Sequence, residues 1–235
     1  MGTDKLTAPD LKKLAEWDTP TICNGLEHLS AEYRVKSFTV EQMQCFDPNL
    51  APIVGYARTA MIRSMSPPEA NPIEIREMRA KYYETIASDP TPSISVIQDL
   101  DPTPGFGAFW GEVNTAIHKG LGCLGVVTNG SFRDIDACAP GFQLLGGKVA
   151  PSHAWVHLVA IECEVNIFGM AVKPNDIIHA DRHGAVVVPN QCVKELPDAI
   201  DLLTRREAVI LDVARSTDFN VEILKKAMAD SAEIH

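Results

Sequence analysis

Between about residue 54 and residue 188 the chain alternates short apolar runs with segments of helical period, separated by turns rich in Pro, Gly and Asn. This alternation points to a sheet covered by helices, an α/β layer architecture. Strands are expected at Val54–Ile62, Ser93–Ile97, Cys123–Val127, Gln143–Leu145, Val156–Val165, Gly169–Val172, Ile177–His179 and Ala185–Val188. Asn71-Pro72 reads as an N-cap with Pro in the first turn, opening a helix that runs through Ala87 and stops before Asp89-Pro90. A helix is expected over Gly111–Lys119 and a further short one after Arg133-Asp134. Helices also flank the alternation, from about 10 to 30 and from about 197 to 230. The 235 residues show no internal repeat and no low-complexity linker, so one domain over 1–235 is the economical organisation.

The charge balance narrows the partners. Acidic residues outnumber basic ones 31 to 21, the wrong sign for a general nucleic-acid or anionic-membrane binder. An anionic substrate therefore needs a local patch of positive charge. The six cysteines are far apart, with no C-x-x-C pair, and read as reduced thiols. The start carries charges and no apolar leader, Leu6 breaks the myristoylation pattern after Met1-Gly2, and no run is long enough to span a bilayer. A cytoplasmic location is expected.

The stretch Glu112 to Asp136 carries the chemistry. A helix of about nine residues climbs roughly 14 Å, and a strand of about five residues returns roughly 16 Å. The loop after the strand thus comes back beside the helix start. Glu112, Arg133 and Asp134 then share one neighbourhood with the free N–H groups of the first helical turn. Two carboxylates, an arginine and a nest of amides suit a divalent cation and an anionic ligand. Mg²⁺ fits because it takes oxygen ligands and keeps several waters. The same residues also read as a solvated turn in which Asp134 or Asp136 caps the next helix.

Glu112, twenty residues and then Arg133-Asp134, within GEVNTAIHKGLGCLGVVTNGSFRDIDA, resembles the metal-site signature of class II pyruvate aldolases of the 4-hydroxy-4-methyl-2-oxoglutarate aldolase and RraA-like family. The block PNDIIHADRHGAVVVP (174–189) is similar to the family's late strand-turn-strand element, and the likeness spans most of residues 15 to 215. The resemblance implies a swivelling β/β/α fold, with a central sheet or barrel-like double sheet flanked by helices, assembled as a homotrimer or homohexamer. It implies that Asp134 ligates Mg²⁺, Mn²⁺ or another divalent metal and that Glu112 holds metal-bound water. Arg133 would bind the 2-oxo acid, and amides of Ala108, Phe109, Trp110 and Gly111 would receive its carboxylate. An acid from a neighbouring subunit completes the family's site, and Glu207 is the residue assigned to it.

The implied activity is cleavage of a 4-hydroxy-2-oxo di- or tricarboxylic acid to pyruvate and a second oxo acid, with oxaloacetate decarboxylation as its close variant. Many members carry Asp where this chain has Glu112. A rival from another class is an RraA-type regulator that binds a ribonuclease; such regulators resemble this chain at Arg133-Asp134 but lack an acid at position 112. His153, His157 and His179 read as hydrogen-bonded structural residues rather than ligands, and Phe109-Trp110 as packing beside the site. His183 is a candidate for recognising the distal part of the substrate. No Gly-rich nucleotide fingerprint follows a strand.

Overall fold

The computed structural model describes residues 6–235, so the readings of the Met1-Gly2 start lie outside the described residues. Helices α1 (Ala8–Leu14) and α2 (Thr19–Leu29) come first, then a two-residue strand β1 (Gln44–Cys45). The strand-helix alternation follows as β2 (Ile53–Arg63), α3 (Pro72–Ala87), β3 (Ser93–Asp99), α4 (Glu112–Gly120) and β4 (Cys123–Thr128). Short strands β5 (Ser131–Phe132), β6 (Gln143–Gly146) and β7 (Lys148–Val149) lead to β8 (His157–Ile161). Two hairpins, β9 (Val165–Ile167) with β10 (Met170–Val172) and β11 (Ile177–Asp181) with β12 (Gly184–Val188), precede α5 (Leu196–Ala214) and α6 (Val221–Ala232).

The main sheet runs β1-β6-β4-β3-β2-β11-β12, with β6, β4, β3 and β2 parallel to one another. At eleven residues β2 is long enough to divide its other edge. Ile53–Tyr56 pair with β11 and Ala60–Arg63 with β8, around a register break between Met61 and Ile62. That break bends the sheet, and the result is a curled half-barrel flanked by helices, the α/β class expected from the alternation.

Each layer has its own apolar contact. Leu11, Leu14, Ile22 and Leu26 of α1 and α2 bury with Leu196 and Ile200 of α5 against β2, β11 and β12. Tyr82 and Ile86 of α3 bury with Phe109, Trp110 and Phe142 over the parallel strands. The α3 start forms as the Asn71-Pro72 reading requires: Asn71 Oδ1 accepts from the amides of Ile73 and Glu74 at 2.9 and 3.1 Å. Glu74 in turn accepts from the Asn71 amide at 2.9 Å, which closes a capping box.

Two expectations need correction. The short helix after Arg133-Asp134 is only a 3-10 turn, Ile135–Ala137. Asp134 is left-handed (φ 53°), its carbonyl accepts from the amides of Ala137 and Cys138, and Pro140-Gly141 follow too soon for a second turn. The strand read as Val156–Val165 splits into β8 and β9, because Glu162 is also left-handed (φ 53°) and its amide turns to Thr59 O at 2.9 Å. No described helix is long and apolar enough to cross a membrane.

Candidate active site

The parallel strands β2, β3 and β4 end on the same side of the sheet, where loops of an open α/β sheet form a crevice. The Pro- and Gly-rich loop after β3 is built by two buried aspartates. Asp99 accepts from the amides of Asp101 and Gly105 at 2.9 and 2.7 Å. Asp101 Oδ2 accepts from the amides of Ser64 and Met65 and from the Ser64 hydroxyl at 2.6, 2.9 and 2.8 Å. Ser64 Oγ then accepts from the Gly107 amide at 2.9 Å, so the loops after β2 and β3 form one unit. That unit delivers residues 108–111 to the start of α4.

Beside it arrives the loop after β4. Trp110 and Phe132 form a parallel bridge, and the Arg133 amide donates to Trp110 O at 2.9 Å. The helix-up, strand-back path thus does return Arg133-Asp134 to the start of α4. Asp134 Oδ2 lies 3.6 Å from Arg133 Nε, with each side chain about one-third exposed. A Cβ on Gly111 would stand 2.6 Å from that same carboxylate oxygen. Gly111 is also the N-cap of α4 and offers no side chain to the helix, so the first-turn amides remain open to an anion. Burial raises the Cys138 thiol above its usual range, and the charges of Asp134 and Glu112 both add to that rise.

Ala108, Phe109, Gly111, Arg133 and Asp134 line an open cleft of about 460 Å³. Its other walls are side chains that sequence reading did not assign to the site: Arg79 of α3, Asn114 of α4, and His153, Trp155 and His157 of the segment entering β8. Glu112 is exposed next to the cleft rather than on its lining. One of the expected substrate amides changes role. Ala108 donates its N–H to Ser152 O at 2.9 Å, so it is not open to a carboxylate. The Trp110 ring is turned inward, 1% exposed, against Phe109, His118 and Phe142, the packing role read for it from the sequence. His183 lies away from this cleft, on a polar groove with Trp17, Asp18 and Arg182, where its amide donates to Asp181. His179 is buried and bonded to Thr19 Oγ1 and the carbonyls of Leu14 and Trp17, the structural role expected of it. Glu207 is exposed on α5 and is not on the cleft of its own chain.

A buried relay seats α4. His118 Nδ1 lies 2.6 Å from Asn114 O, and a carbonyl only accepts, so this nitrogen carries the proton. Nε2 is then the acceptor for Tyr82 Oη at 3.1 Å, and Tyr82 accepts from Ser95 Oγ at 2.7 Å. Burial pushes His118 down to about 4, and burial also lowers His179. Both are neutral when folded and titrate near 6.5 when unfolded, so the unfolded state binds more protons below that pH and stability falls as acid is added. Urea unfolding is expected to lose roughly 3 kcal/mol from His118 alone between pH 6.5 and 4. His118→Gln should flatten that slope, and an unchanged slope in the variant would remove His118 as its source.

A curled α/β half-barrel with an Arg-Asp pair at an uncapped helix start, opening at the strand carboxyl ends, defines a protein of the aldolase and RraA type. Residues 19–187 match the RraA-like family (Aldolase/RraA), and the chain belongs to it. An uncharacterized protein from Pseudomonas syringae pv. tomato has a similar structure, with a TM-score of 0.72 at 21% identity over 98% of this chain and 97% of that one. Streptomyces coelicolor RraAS2, described as an unusual member of the RNase ES inhibitor RraA protein family, gives 0.68 at 20% identity over 86% and 97%. At these identities the likeness speaks for the fold. Protein MJ0644 of Methanocaldococcus jannaschii is 30% identical over 105 residues, 44% of this chain. Protein DlpA of Legionella pneumophila is 28% identical over 97 residues, 37% of this chain, and the matched stretches span 15% of DlpA and 50% of MJ0644.

Proposed function

We propose that the chain is a divalent-metal-dependent carbon–carbon lyase. It cleaves a 4-hydroxy-2-oxo di- or tricarboxylic acid to pyruvate and a second oxo acid, and decarboxylates oxaloacetate through the same enolate. The observation that carries this reading is the Asp134 carboxylate, held against Gly111 and Arg133 at the open start of α4.

The donor set fits a hard cation. Among the described residues no three His, Cys, Asp or Glu side chains gather as a metal cluster. One or two carboxylates with water suit Mg²⁺ or Mn²⁺. Asp134 would hold the ion directly and Glu112 through water, and the bound ion would supply Lewis-acid polarisation of the keto group.

The chain's own groups do the rest. The first-turn amides of α4 receive the substrate carboxylate. Arg133 stays charged and opposes the negative charge that gathers on the keto oxygen as the C3–C4 bond breaks and its electrons pass into the enolate. A base takes the 4-hydroxyl proton as the new carbonyl forms, and return of that proton to C3 of the enolate completes pyruvate. No lysine is needed as an electron sink. Glu207 is assigned to the cleft of a neighbouring subunit in a trimer or hexamer.

The second reading, a regulator that binds a ribonuclease, is supported by the family match, whose description covers both aldolases and RraA. Pyruvate release coupled to lactate dehydrogenase, from oxaloacetate and from 4-hydroxy-4-methyl-2-oxoglutarate, separates the two. Release in Mg²⁺ that EDTA abolishes is expected. Absence of release from either acid, with capture of an endoribonuclease in a pull-down, would favour the regulator.

A further inference from the structure

Arg79 is a cation on the cleft that the proposed chemistry leaves unused. It is exposed on α3, and among the described residues it makes no hydrogen bond or ion pair. Tyr83, one turn further along α3, donates from Oη to Asn114 Oδ1 at 3.1 Å, and Asn114 is the third residue of α4. Arg79 therefore stands about 6 Å, one helical turn, beyond the level at which α3 meets the first turn of α4.

The wall between these two points is apolar. Val113 is 69% exposed and Trp155 59% exposed, and Ile75 lies one turn before Arg79 on the same cleft. The charge is local too. In a chain of net charge -10, the lining holds Arg79 and Arg133 against one carboxylate, Asp134. A second anionic group on a short apolar arm would satisfy both features at once.

We propose that Arg79 is a specificity-determining residue that binds a carboxylate at the distal end of the substrate, with Val113 and Trp155 covering the carbons between. The inference rests on the oxo-acid reading above for the head of the substrate. Within the di- and tricarboxylic acids of that reading, it assigns recognition of the second carboxylate to Arg79.

The test uses 2-oxoglutarate and 2-oxopentanoate, which have the same five-carbon chain and differ in the distal carboxylate, with pyruvate as the head-group probe. Their affinities for the wild-type chain and for Arg79→Met are measured by calorimetry in Mg²⁺. Wild type is expected to bind 2-oxoglutarate at least about tenfold more tightly than 2-oxopentanoate. Arg79→Met should bring that ratio close to one and leave 2-oxopentanoate and pyruvate unchanged. A wild-type ratio near one, or a ratio that survives Arg79→Met, overturns the assignment while leaving the oxo-acid site intact. Failure of all three acids to bind overturns the oxo-acid reading itself, and this inference with it.

Discussion

Gly111→Ala is expected to lower metal-dependent pyruvate release by at least about 10- to 100-fold, the scale seen when a metal ligand's support is lost, while the protein stays folded. The backbone permits the substitution: Gly111 is extended, with φ −174°, where alanine is unstrained. The added Cβ meets Asp134 Oδ2 at 2.6 Å and Arg133 Cγ only at 3.4 Å. The carboxylate is the mobile end of a side chain, so it moves and the fold does not. Unfolding free energy should therefore change by less than about 1 kcal/mol. Asp134→Ala removes the group altogether and should cost more, about 10²- to 10³-fold. The two substitutions form a pair, because they reach the same carboxylate from opposite sides. Steady-state pyruvate release and urea unfolding of both variants check the argument. Near wild-type turnover in Asp134→Ala would remove this carboxylate from the chemistry, and loss of stability in Gly111→Ala would show that backbone had yielded instead.

How much of this was legible in the chain depends on whether the signal was local. The segments β2, α3, β3, α4 and β4 could be read because each carries its own period and its own stop, such as the Asn71 cap that the structure shows closed by Glu74. The return of Arg133-Asp134 to the start of α4 was legible too, since a helix and a strand of known rise must bring the chain back, although Glu112, expected with them, stands beside the cleft and not on its lining. The far wall of the cleft was not. Arg79 sits on a helix with an exposed, highly charged surface, where nothing distinguishes one arginine from its neighbours. His153 and His157 reach the cleft through the segment between β7 and β8, whose path is set by strand pairing distant in sequence. His118 looks like a solvated basic residue in the last turn of α4, yet it is fully buried because Tyr82 reaches it from α3. Asp99 and Asp101 look like ordinary loop acids, and only the fold turns them inward to hold the amides of Ser64, Met65 and Gly105. The Ala108 amide was misread for the same reason: its acceptor, Ser152 O, lies 44 residues away.

Arg58→Met is expected to cost about 2–4 kcal/mol of folding stability, well beyond the loss expected from Gly111→Ala. Arg58 lies within β2 and is 5% exposed. Its guanidinium donates to Asn175 Oδ1 through one terminal nitrogen, and to the carbonyls of Ser88 and Pro90 at 2.6 Å each through the other. Burial lowers its pKa, but an arginine remains charged, so three oxygens are the main compensation for a buried cation. Two effects compete in Arg58→Met. Relief from desolvating the charge favours the variant, whereas the oxygens it abandons lose their donor. The orphaned carbonyls should win, because Ser88 caps α3 and Pro90 lies in the turn that follows, and both are tied to β2 by that fork. Arg58→Lys should recover only part of the loss, since one ammonium cannot reproduce a planar fork reaching three acceptors. For a chain of 235 residues the deficit corresponds to roughly 4–16 °C in Tm. Urea unfolding should show a lower midpoint with an unchanged slope. A midpoint equal to wild type would mean that desolvation of the charge cancels its hydrogen bonds. Helix α3 also carries Tyr82, Tyr83 and Arg79, so loosening its end should weaken the cleft as well as the fold.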